Sequence, residues 1–139
     1  DGAYSSYMGV PGLMPANKKD LEEGNYYLTY SDGAEDFLNH AWSVTPDILY
    51  KASGISGEDI ACFVPHQVLK KRTVFAREAA GVGQEKTIDI LANCANCGSA
   101  TILLALDHAR KNNYILPDQL SLMVAAGGGI SWGGIILKT

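Results

Sequence analysis

The chain has 139 residues, 47% apolar and 19% charged, a balance that excludes a disordered or highly charged polypeptide. Its formal net charge of −4 argues against nucleic acid as the main partner, because phosphate binding needs clustered Lys and Arg. No apolar run approaches the roughly 20 residues of a membrane span, the residues given do not suggest a basic-then-apolar leader, and three cysteines suit free thiols in a reducing cytoplasm rather than a disulfide framework.

The opening at Asp1, without an initiator Met, fits a processed product, an engineered truncation or a chain whose start lies elsewhere. Residues 1–25 are rich in Gly, Pro, Ser and Asn and read as a loop-rich lead-in. Tyr26 to Thr29 suits a short strand. From Asp32, Phe37, Leu38, Ala41, Trp42, Val44, Ile48 and Leu49 recur at helical intervals, and Pro46 should kink or divide that helix. Ser56 to Asp59 looks like a turn or cap, and Ile60-Ala-Cys-Phe-Val64, closed by Pro65, suits a buried strand. A basic helix is predicted over 67–80, with Gly81 as its C-cap. Thr87 to Ile90 is a short strand candidate, and 93–99 is small and polar. Ala100 to Arg110 is a helix with Ile102, Leu103, Ala105, Leu106 and Ala109 on its apolar face. Leu120 to Ala125 and Ile130 to Leu137 read as strands joined by a turn at Gly127-Gly-Gly129. This order predicts an α/β fold with a mixed, mostly parallel sheet flanked by helices, the last two strands pairing antiparallel.

Three places could carry chemistry. His66 follows the end of a buried strand, where α/β folds place their ligands. It suits proton transfer or hydrogen-bond donation, and the plainer alternative is a cap on the next helix. Asn96, in Asn93-Cys-Ala-Asn-Cys-Gly-Ser99, has two N–H donors for an oxygen in the crevice, or is an ordinary turn residue. The glycine run after Ala125 can bring backbone N–H groups to a ligand and build an oxyanion site, or simply make a tight hairpin. Cys94 and Cys97 form a lone CxxC without the second ligand pair of a zinc site or the usual context of a redox motif, so no metal and no cofactor are expected. Cys62 reads as buried and inert.

Together and in this order, Val64-Pro-His-Gln67, Asn96-Cys-Gly-Ser-Ala100 and Gly127-Gly-Gly-Ile-Ser-Trp-Gly133 resemble the Pro-His-Gln, Gly-Asn-Thr-Ser and Gly-Gly-Gly-x-Thr-Trp-Gly signatures of the β-ketoacyl-acyl-carrier-protein synthase III family. Asp1-Gly2 is similar to an Asp-Gly pair of that family, and Tyr30 to Phe37 to its Met-x-Gly-x-Glu-x-Phe stretch. The resemblance covers nearly the whole chain. It implies the C-terminal half of a thiolase-fold condensing enzyme, with residues 26–139 forming the thiolase-like domain. It implies acyl-CoA and malonyl-acyl carrier protein as substrates in fatty acid or polyketide biosynthesis, and a homodimer when full length. The nucleophilic Cys would belong to an N-terminal half, so this chain alone would be inactive.

In the roles the resemblance implies, His66 and Asn96 hydrogen-bond the malonyl thioester oxygen, Gly128 offers a backbone N–H to the acyl oxyanion hole, and Lys70, Lys71 and Arg72 dock the carrier protein. Departures are Val68-Leu69, where the family continues Ala-Asn, and Cys97 in place of Thr. They leave room for a specialised polyketide starter enzyme. Rival expectations are a non-catalytic thiolase-fold partner subunit and an enzyme like 3-hydroxy-3-methylglutaryl-CoA synthase.

Overall fold

The computed structural model describes residues 8–10, 15, 17–128 and 131–139. A two-residue strand, β1 (Met8–Gly9), pairs antiparallel with β2 (Thr29–Tyr30). Between them lies a short helix, α1 (Lys18–Glu22). The loop expected over 1–25 therefore contains a strand and a helical turn. Asn17 starts that turn by accepting the N–H of Asp20 at 2.9 Å, and Lys18–Glu22 and Lys19–Glu23 add i,i+4 ion pairs. Neither device shows in apolar periodicity, since α1 buries nothing.

Helix α2 (Gly33–Ser53) runs unbroken through Pro46. Proline inside a helix costs about 3 kcal/mol. Here Ala34, Phe37, Ala41, Trp42, Thr45 and Pro46 itself are all buried, so packing along the whole helix offsets the lost hydrogen bond. Gly54, left-handed at φ 72°, ends it and donates its N–H to Tyr50 at 2.9 Å.

The main sheet has the order β3-β4-β5. β3 (Ile60–Pro65) pairs parallel with β4 (Leu120–Gly127), and β4 pairs antiparallel with β5 (Ser131–Lys138). The strand expected over 87–90 is reduced to one parallel bridge, Phe63 with Thr87. Helix α3 (Lys70–Ala79) starts three residues later than predicted, because Gln67 turns inward and is fully buried. Gly81, at φ 64°, follows its end as expected. A short helix, α4 (Leu91–Cys94), and a 3-10 turn, Gly98–Ala100, lead into α5 (Thr101–Lys111).

The two sheet faces carry separate cores. Trp42, Ile60, Phe63, Ala76, Leu122 and Val124 pack under α2 and α3. Cys62, Val64, Ile88, Ile90, Ala105, Ala109 and Met123 pack under α5. β3 is thus covered on both faces, which is why it reads as an uninterrupted apolar run.

Gly134 sets how closely α2 approaches β5. A Cβ there would lie 2.7 Å from the Met123 carbonyl oxygen, 2.8 Å from Thr45 Cγ2 and 2.9 Å from Leu49 Cδ1. Gly134→Ala is expected to destabilise the protein by about 1–3 kcal/mol through overpacking. Urea denaturation reads this as a lower midpoint; an unchanged midpoint would refute the packing argument.

Candidate active site

His66 is the first residue past β3, and its backbone N–H donates to the Val124 carbonyl at 2.8 Å. That bond carries the β3–β4 pairing one residue beyond the strand. The imidazole lines a cleft of about 470 Å³ at the C-terminal end of the sheet. Opposite walls come from Gly98, Ser99 and Ile102, and from the paired ends of β4 and β5 at Ala125, Ala126, Gly127 and Trp132. Burial pushes the His66 pKa below its ordinary value of 6.5, because the cationic ring loses hydration. The ring is therefore neutral at pH 7 and carries one N–H donor. Edge-on contact with Phe37, at 5.6 Å between ring centroids, holds the Trp132 indole.

Asn96 sits on the loop that forms one wall of this cleft, two residues before Gly98. Its side chain is exposed and is not itself part of the wall. The carboxamide is oriented nonetheless: Oδ1 accepts the Gly98 N–H at 2.9 Å, which leaves the NH2 group as the side chain's donor. Cys97 N–H donates to the buried Thr101 Oγ1 at 3.1 Å and ties the same loop to the start of α5. The loop enters through Ala95 at φ 54°, ψ −160°, a region that only glycine adopts readily. The family signature quoted above has Gly at this place, so the substitution stores strain next to Asn96.

Gln67 joins the two loops; it belongs to the Val64-Pro-His-Gln67 motif, which by itself assigns it no role. The Ile88 N–H donates to the Phe63 carbonyl at 2.9 Å, in the manner of a parallel ladder. The next rung would use the N–H and C=O of Pro65, and proline has no N–H. The Gln67 carboxamide takes that whole rung: Nε2 donates to the Ile88 carbonyl at 2.8 Å and Oε1 accepts the Ile90 N–H at 2.9 Å. From Ile90 the chain passes directly through α4 to Asn96. Pro65 beside a short strand candidate was the available signal, because a ladder that loses a donor needs a substitute.

The other predicted positions separate. Gly127 lines the cleft; Gly128, the next residue, is exposed, and a Cβ on it would lie 3.5 Å from Met8 Cε. Gly129 and the Asp1-Gly2 pair lie outside the described residues. Lys70 and Lys71 are exposed on α3. Arg72 is not available for docking: it is buried, donates to Asn39 Oδ1 at 2.8 Å and pairs with Glu35 at 3.4 Å. Helical spacing explains the correction, since Arg72 shares the inward face of α3 with Thr73 and Ala76. Among the described residues no group of three or more His, Cys, Asp or Glu side chains is placed to hold a metal ion.

The family model described as 3-Oxoacyl-[acyl-carrier-protein (ACP)] synthase III C terminal matches residues 50–139. A beta-ketoacyl-[acyl-carrier-protein] synthase III of Natranaerobius thermophilus is 40% identical over 144 residues, covering 99% of this chain and 43% of that protein. The corresponding protein of Psychromonas ingrahamii is 28% identical, with 99% of this chain and 43% of that protein covered. In fold, the crystal structure of a synthase III from Thermus thermophilus matches all of this chain and 43% of its own, with a TM-score of 0.83 at 23% identity. The chain thus spans less than half the length of the relatives it matches.

The Gln67 rung can be tested without reference to activity. Gln67→Leu leaves the Ile88 carbonyl and the Ile90 N–H buried without partners, and is expected to cost about 2–4 kcal/mol. Urea denaturation, with amide exchange at Ile90, checks this; parental stability and undiminished protection at Ile90 would refute the rung.

Proposed function

Because the chain belongs to the 3-oxoacyl-[acyl-carrier-protein] synthase III family, as a match to its C-terminal domain, we propose that it supplies half of the active site of a condensing enzyme. That enzyme joins an acyl thioester to a malonyl thioester by decarboxylative Claisen chemistry. Its acyl-carrying Cys belongs to an N-terminal half. The observation that carries the proposal is the neutral, half-buried His66 at a strand end, sharing one cleft with Gly98, Ser99 and the β4 end at Gly127.

Loss of CO2 from a malonyl thioester leaves an enolate, with negative charge on the thioester oxygen. A site accelerates that step by aiming donors at this oxygen before the charge develops. His66 donates through its neutral ring and Asn96 through the NH2 that its bond to Gly98 leaves free. Neutrality of His66 matters, because an imidazolium would hold the malonyl carboxylate and oppose its departure. The enolate carbon then attacks the acyl thioester on the partner half's Cys, and the Gly128 N–H stabilises the oxyanion formed there. Trp132 and Ile102 line the pocket with apolar surface that keeps water from the reacting atoms.

The outer face of α5 supports a second half. The helix buries Thr101, Ala105 and Ala109 against the sheet and leaves Leu103 68% and Leu104 40% exposed. Adjacent apolar side chains on an outward face suit packing against another layer. Lys70 and Lys71 present the positive charge that an acidic carrier protein would meet, and Arg72 anchors their helix to α2. The complete enzyme is proposed to be a cytoplasmic homodimer.

The test combines the chain with its matching N-terminal half, acyl-CoA and malonyl-acyl carrier protein, and measures ketoacyl product. His66→Ala and Asn96→Ala are each expected to lower the rate by about 100- to 1,000-fold, as for loss of one oxyanion donor. The acidic limb of the parental rate profile should fall below pH 6.5, where His66 titrates, and should be absent from His66→Gln. Variants that turn over as fast as the parent would reject the two donor roles.

A further inference from the structure

We propose that Cys94 and Cys97 are a reversible oxidation site, closing into an intraloop disulfide by exchange with a low-molecular-weight disulfide such as oxidised glutathione, and that closure displaces Asn96. Both thiols are free and exposed, while the third, Cys62, is buried in β3. The pair is also folded together: Cys97 Sγ lies 2.9 Å from the Cys94 carbonyl oxygen. Two covalent bonds separate that oxygen from Cys94 Cα, so the Cys97 sulfur already rests over the residue whose thiol it would meet. Cys94 lines an open cleft of about 230 Å³ that also holds His108 and Lys111, which leaves the thiol accessible to a small disulfide.

The exchange balances without further reactants. One thiolate attacks a sulfur of oxidised glutathione, forms a mixed disulfide and releases a glutathione thiolate. The second protein thiolate attacks the protein sulfur of that mixed disulfide and releases the other glutathione. The protein loses two electrons and two protons, and one glutathione disulfide becomes two thiols. Cys62 stays out of the exchange: burial pushes its pKa up to about 11, so little thiolate exists at neutral pH.

Asn96 lies inside the ring that this bond closes. Its orientation now depends on the Gly98 N–H, and the turn depends on the strained backbone of Ala95. Closure exchanges the soft contact between Cys97 Sγ and the Cys94 carbonyl for a covalent link with its own dihedral demands, and Ala95 is the residue that must rotate. The consequence for turnover rests on the donor role proposed for Asn96; formation of the disulfide does not.

The experiment treats the chain with oxidised glutathione at neutral pH and maps the products by mass after alkylation. The expected result is loss of two hydrogens, a Cys94–Cys97 cross-link, Cys62 alkylated only after denaturation, and full reversal by dithiothreitol. A stable glutathione adduct at either cysteine without the cross-link, or unreacted thiols, would overturn the site. In the assembly with the N-terminal half, oxidation should lower condensation at least ten-fold in a dithiothreitol-reversible way, beyond any loss seen in Cys94→Ser. A cross-linked protein that condenses at the reduced rate would overturn the effect on Asn96. If the reduced assembly makes no product, the proposed condensing function fails while the cross-link map still decides the thiol site.

Discussion

The carboxamide of Gln67 stands in for a peptide group that proline cannot provide, and the arrangement of the site follows from it. Pro65 ends β3 and frees the chain to turn His66 toward the cleft. The same proline breaks the ladder that would have held residues 87–90 as a strand. Gln67, two residues on and fully buried, restores both bonds of the missing rung. The result is a sheet edge made of one side chain. It fixes the loop after β3 and the segment leading to Asn96 against each other, so His66 and Asn96 sit on segments joined by a shared hydrogen-bonded contact. A buried carboxamide with both ends satisfied is also specific: few other side chains combine the donor, the acceptor and the length.

Around this contact the protein combines rigid and strained parts. His66 is held by its backbone bond to Val124 and is neutral because it is half-buried. Asn96 is held more loosely, at the surface of the chain, by its own bond to Gly98 and through a non-glycine residue at positive φ. The two side chains are thus held unevenly. The imidazole depends on β3, which is covered on both faces, whereas the carboxamide depends on a two-residue segment flanked by thiols. A difference of this kind makes the Asn96 loop the part of the site most open to chemical influence, while the β3 end stays fixed.

Much of this was legible in the sequence where one force dominates. Helices α2 and α5 follow from apolar periodicity, β3 from its uninterrupted apolar run, and the β4–β5 hairpin from its length and glycines. The motif order also pointed to the family that the comparisons show. What escaped depended on polar side chains acting on backbone. Helix α1 forms through Asn17 and two ion pairs and buries nothing; Thr87 to Ile90 has strand composition but lacks a donor opposite it; α3 starts late because Gln67 is needed elsewhere. Pro46 does not divide α2, because its local cost is outweighed by the burial of the residues around it. Arg72 misled for a related reason: a basic trio suggests a charged surface, but helical rotation turns its third member inward onto Glu35 and Asn39.

The imidazole of His66 and the carboxamide of Asn96, on two segments joined by Gln67, are proposed to meet at one substrate oxygen. A crystal structure of the chain assembled with its N-terminal half and a non-decarboxylating malonyl thioester analogue addresses it directly. The account predicts a ring nitrogen of His66 and Nδ2 of Asn96 both within about 3 Å of the thioester oxygen. An analogue bound with that oxygen touching only one of them, or turned toward neither, would contradict it.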